Sequence, residues 1–175
     1  MTRDTFWNLI DTSRASGDLN RQGDALESLL AEVPVEELVS FHSHFYELFH
    51  AAYRADLWGA AYIIIGGCSD DGFDYFRAYL IGRGKAAYEA ALKSPDSLAE
   101  VVEVDEGEQE ELLSLAVKVY LKRTGKTYSD LKEYDPFVHA PWPELVGDLD
   151  DWNDDDAAAE EKQSRLYPRL YSKFE

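Results

Sequence analysis

Between Gly66 and Gly84 the chain sets a thiol, a hydroxyl, two adjacent carboxylates and an arginine around a single turn: Cys68, Ser69, Asp70, Asp71 and Arg77. An apolar run stops at Gly66-Gly67 and acids follow at once, the composition of a glycine-capped helix end meeting the start of the next helix. Two neighbouring carboxylates can bind a cationic group or a hard metal, or share a proton as general acid and base. The same residues also serve the helix itself: Ser69 can cap it, and each acid in the first turn stabilises it by roughly 0.3 to 1 kcal/mol. Arg77, six or seven positions on, is read on the same face, where it pairs with these acids or holds an anionic group. Pairing is the preferred role.

Three further groups of side chains bear on chemistry. Cys68 beside a helix start has a position that lowers a thiol's pKa and makes a nucleophile; a small buried filler is the reading preferred at such a turn. Tyr53, Trp58, Tyr62, Tyr75, Tyr79 and Tyr88 are spaced to line an aromatic pocket, or to bury their rings with satisfied hydroxyls. His42, His44, Glu47 and His50 share one helical stretch, and Glu47 with His50 has the spacing found in helix-bundle metal sites, but no second such motif is present. His42 and His44 point about 200° apart on a helix, so they do not share a metal. With no zinc spacing, phosphate loop or nucleophile elbow, no cofactor is expected.

The elements that must position these groups are helical almost throughout. Phe6, Leu9, Ile10 and Ser13 share a face of an opening helix that Thr2 or Thr5 can cap and Gly17 ends. A second helix runs from about Arg21 with Leu26, Leu29, Leu30 and Val33 as its stripe, and Pro34 forces a restart. Leu38, Phe41, Phe45, Leu48 and Ala52 mark a long third helix. Asp56 to Ile65 is apolar nearly all round and is read as the buried central helix, closed by Gly66 or Gly67. The next buries Phe73, Phe76 and Leu80 and extends, bent at Gly82 and Gly84, toward Leu92. Ser94-Pro95 opens a short helix with serine as its cap. Asp105 to Arg123 has acids at its start and Lys118, Lys122 and Arg123 at its end, as the helix dipole favours. From Lys126 to Pro143 an irregular aromatic segment is expected, with a helical turn at Ser129 to Tyr134.

The central motif, the Phe6-Trp7-Asn8-Leu9-Ile10 start, the Ala52-Tyr53-Arg54-Ala55-Asp56-Leu57-Trp58 lead-in and the downstream Ala90-Ala91-Leu92-Lys93-Ser94-Pro95-Asp96-Ser97-Leu98 together resemble a bacterial domain-of-unknown-function family, number 4240, recurrent in actinobacteria. The resemblance covers roughly residues 1 to 143 and brings no activity, cofactor or catalytic residue with it.

Composition sets the outer bounds. With 175 residues, 45% of them hydrophobic, one well-filled core is expected: an all-α domain of about six helices over 1–143, an acidic linker over 144–161 and a basic, aromatic segment over 162–175 that docks back. Residues 144–161 carry nine acids, no basic residue and few apolar groups, among them Trp152. A net charge of -18 disfavours binding to a phosphate backbone and favours a basic protein or a cationic small molecule. No signal or membrane-spanning run is read and the single cysteine excludes an internal disulfide, so a cytoplasmic location is expected. Three functions fit: a binding module with its recognition site at Cys68 to Arg77; an enzyme using Asp70 or Asp71 as acid-base or metal-binding groups; or an acidic inhibitor or nucleic-acid mimic capturing a basic partner. The oligomeric state is not legible.

Overall fold

The computed structural model describes residues 1–16, 19–103, 106–131, 137, 141–149 and 157–174. The readings placed on Gly17, Asp105, Tyr134 and Trp152 lie outside the described residues. Nine α-helices and three short 3-10 turns are present among the described residues, with no strand beyond one isolated bridge, so the all-helical class holds and the count of about six is too low.

Helix α1 (Arg3–Ser13) starts where the Thr2 hydroxyl accepts from the Thr5 amide at 3.1 Å. It buries Phe6, Trp7, Ile10 and Ser13, Trp7 taking the place expected of Leu9. Helix α2 (Leu19–Glu32) follows, and Pro34 separates it from α3 (Val35–Ala51), which buries Leu38, Phe41, Phe45 and Phe49. Helix α4 (Ala55–Ile65) is buried or partly buried at every residue, but the helix after it packs against more of the others and is the central one; Gly66, at φ 72°, closes α4 in the left-handed conformation. Helix α5 (Asp70–Gly82) does not bend onward to Leu92. It stops before Gly84, whose φ of 90° and ψ of 170° no side-chain-bearing residue adopts readily, and α6 (Lys85–Lys93) starts afresh. After the Pro95–Glu100 turn, where Ser94 makes no side-chain cap bond, comes α7 (Glu111–Thr124), ended by Gly125.

Helix α7 begins six residues later than expected because Gly107 has a φ of 134°. The Gln109 amide donates instead to the Tyr75 carbonyl at 3.2 Å, so Glu106 and Glu108 stand on a loop against α5 rather than in a helical first turn. The acidic stretch is not uniform either: residues 144–149 run beside the start of α4, and α8 (Ala157–Leu166) begins within it. Pro168 then opens a separate helix, α9 (Pro168–Phe174). Leu170 of α9 is fully buried in the main core, and the Tyr167 hydroxyl donates to the Asp56 carbonyl at 2.8 Å.

Candidate functional site: the junction of α4 and α5

The turn between α4 and α5 is fixed from both sides. The Gly66 amide and the Gly67 amide, the latter at 2.9 Å, both donate to the Tyr62 carbonyl. Ser69 caps α5, its hydroxyl accepting from the Gly72 amide at 3.1 Å. Trp58 clamps the turn to α4: its indole N–H donates to the Cys68 carbonyl at 3.0 Å while its ring stacks on Phe73 with centroids 4.6 Å apart. Tyr62 is partly buried on α4, and Asp70 and Asp71 are exposed in the first turn of α5.

Cys68 does not have the activated thiol that a helix start alone suggests. Burial, with the Glu108 carboxylate adding to it, pushes its pKa up to about 12, because both make the thiolate harder to form. Alkylation of Cys68 by iodoacetamide at pH 7.5 is expected to run at least about tenfold slower than that of a free cysteine, since only the thiolate reacts. A rate equal to the free amino acid's, followed by mass spectrometry, contradicts this assignment.

Arg77 does not join Asp70 and Asp71. It faces the core, fully buried, and pairs with Asp74 three residues before it, while one guanidinium nitrogen donates to the Phe49 carbonyl at 3.0 Å. Its planar head lies 3.7 Å from the Phe49 ring centroid, with Tyr53, Phe73 and Trp142 at 4.8, 5.1 and 5.3 Å. The reading of Arg77 as partner to the junction acids is thereby corrected. Seven residues turn a helix by roughly 700°, which puts Arg77 near the azimuth of Asp70, but about 10 Å along the axis, beyond side-chain reach.

The remaining aromatic and histidine groups divide among structural tasks. The Tyr88 hydroxyl donates to the Leu48 carbonyl at 2.7 Å and that of Tyr79 to Glu106 at 2.8 Å, and burial raises both phenol pKa values. The histidines go to separate neighbourhoods: His42 between Tyr46 and Phe137, His44 at the Met1 carbonyl, His50 under Trp142. Burial, and then the Arg77 charge, lower the pKa of His50. No group of three or more metal-ligating side chains occurs among the described residues.

Beside the junction the fold leaves a cavity of about 520 Å³, lined by Ile63, Ile64 and Ile65 from α4, the capping Gly66, Glu106 and Glu108 from the loop, and Phe174 from α9. Its lining joins three isoleucines to two acids, Glu106 and Glu108, whose place before a helix matches the dipole pattern in sequence. Glu106 is committed, since one of its carboxylate oxygens accepts from Tyr79, from Arg83 at 3.5 Å and from the Glu103 amide at 3.3 Å. Glu108 is exposed at the rim. The signal that could have found them is Gly107 between the two acids, a residue that favours a loop over a helix. Among the described residues no helix is long and apolar enough to cross a membrane.

No curated protein and no solved structure matches this chain. A family model described as "Protein of unknown function (DUF4240)" matches residues 1–122, which include α1 to α6, the Glu106–Glu108 loop and most of α7, and the chain belongs to that family.

Proposed function

We propose that the chain is a binding module whose recognition site is the cavity beside the α4–α5 junction, and that it takes a cationic group carried on an apolar arm, as on a lysine-bearing protein loop or an amphiphilic amine. The observation that carries this reading is the presence of three isoleucines and Phe174 with Glu106 and Glu108 in one concavity. The volume of about 520 Å³ falls in the range of roughly 300 to 1,000 Å³ typical of ligand pockets. An apolar arm against Ile63, Ile64 and Phe174 supplies affinity at about 25 cal/mol per Å² removed from water. Glu108 supplies the sign of the charge. The chain's net charge of -18 raises the local concentration of any cation and makes its capture sensitive to salt.

Titration calorimetry with a capped peptide of alternating lysine and leucine, against its glutamate counterpart, tests this. Only the lysine peptide is expected to bind, more weakly as salt rises. Glu108→Gln is expected to weaken it about two- to fivefold, the range of a partly solvated ion pair, and Glu108→Lys further. Glu106 is the wrong first target because Tyr79 and Arg83 depend on it. Equal affinity of wild type and Glu108→Lys overturns the proposal.

A further inference from the structure

At the other end of α4, about 16 Å from the junction by helical rise, residues 141–149 cross the corner between α3 and α4 in a manner unlike the rest of the chain. Two contacts hold them. Val146 pairs as an isolated parallel bridge with Arg54: its amide donates to the Tyr53 carbonyl at 3.2 Å and its carbonyl accepts from the Ala55 amide at 2.9 Å. Four residues earlier, Trp142 sits against a ring of side chains, with centroids 6.0 Å from Phe49, 5.5 Å from His50 and 5.9 Å from Tyr53, above the Arg77 guanidinium.

This is how an extended peptide is recognised: backbone pairing for affinity and an aromatic anchor for register. The side chains themselves are little buried, Trp142 being 55% and Val146 65% exposed. Pro141 and Pro143 flank the tryptophan and favour extended backbone on either side of it. Between Val146–Asp148 and α8 lies a second cavity of about 460 Å³, lined also by Arg54, Ala55 and Leu166, so the segment is not close-packed there. Phe49, His50, Tyr53, Ala55 and Arg77 all fall within the residues that the family model matches, whereas Trp142 and Val146 fall outside them.

We infer that the α3–α4 corner is a docking groove for an extended partner peptide with an aromatic residue four positions ahead of an aliphatic one, and that residues 141–149 fill it in cis. The ring of Phe49, His50 and Tyr53 over Arg77 takes the aromatic side chain, with the cation below favouring a π face. Tyr53 and Ala55 take the backbone. The cis segment limits access, so a partner competes with it rather than entering an empty site. This groove is independent of the junction cavity, and either can fail alone.

The test uses the full chain carrying Trp142→Ala and Val146→Pro together, which removes the anchor and one backbone bond, and a fluorescein-labelled peptide with the sequence of residues 141–149. Fluorescence polarisation is expected to show binding at least about tenfold tighter to the double variant than to wild type, lost when the tryptophan in the peptide is replaced by alanine. Equal binding to both proteins, or to neither, overturns the inference. So does a concentration-dependent dimer of the wild type that the peptide dissociates, because the groove then serves a second copy. A second measurement covers a variant that does not fold: in the wild type, the Val146 and Ala55 amides are expected to exchange hydrogen at least about a hundredfold faster than those of Ala60 and Ala61 in the middle of α4. Equal protection makes the segment an integral part of the fold and sinks the proposal.

Discussion

Arg77→Ala is expected to lower stability by about 3 to 5 kcal/mol, chiefly the cost of emptying a large core position and orphaning a buried acceptor. Three losses coincide at this position. The Phe49 carbonyl loses its guanidinium donor, Asp74 loses its cation, and the space under Phe49, Tyr53 and Phe73 empties. Arg77→Lys keeps the charge but not the planar head that lies along the Phe49 ring and reaches Asp74 and Phe49 together, and is expected to recover only part of the loss. Asp74→Asn removes the opposite partner and leaves the buried cation with a neutral neighbour; because Asp74 itself is 31% exposed, its own hydration is easily restored and the damage falls on Arg77. Guanidinium denaturation, read as a shift in midpoint at unchanged slope, measures all three. An Arg77→Ala variant within about 1 kcal/mol of wild type refutes the assignment of Arg77 as a structural pivot.

Gly84→Ala is expected to be the next most damaging change, at about 2 to 4 kcal/mol. Two independent effects add. The backbone stands at φ 90° and ψ 170°, a region essentially reserved for glycine, and a methyl group built there meets an Asp11 carboxylate oxygen and the Arg14 guanidinium. Both are ends of flexible, part-exposed side chains that swing aside at the cost of their own 3.4 Å pairing, so the backbone supplies most of the loss. Gly125→Ala is the control. Its φ of 68° carries the left-handed penalty of about 1 to 2 kcal/mol, but nothing lies within 4 Å of the added carbon. Thermal unfolding is expected to separate the two, with Gly84→Ala falling on the order of 10 °C and Gly125→Ala by less than half as much. Equal shifts show that neither the rarer backbone region of Gly84 nor its contact with Asp11 and Arg14 adds to the ordinary left-handed penalty.

These expectations also show which features the sequence made legible. Thr2, Pro34, Gly66 and Ser69 act within one helical turn of themselves, so their roles as caps and breaks follow from local chemistry and appear where they were read. The i, i+3 spacing of Asp74 and Arg77 is equally local, but the adjacent Asp70-Asp71 pair offers the arginine a competing partner in sequence that it does not have in space. Other features depend on distant chain. Trp142 reaches Arg77 from a segment with no helical period, and Glu108 adds to the effect of burial on the Cys68 thiol only because the loop carrying it folds back beside α5. Glu106 and Glu108 preceded a helix and so matched the dipole pattern in composition while standing outside it in space. The junction itself was found; the cavity beside it needed Phe174, the last described residue.

Helix α4 has no solvent-facing stripe, and the hydroxyl that covers its first turn arrives from Tyr167, 111 residues further along the chain. During synthesis at roughly 5 to 20 residues per second, the most apolar helix of the molecule therefore waits on the order of 5 to 20 s before α9 can close over it. That interval, rather than the stability of the finished fold, is when this chain is most open to association with chaperones or with other nascent copies of itself.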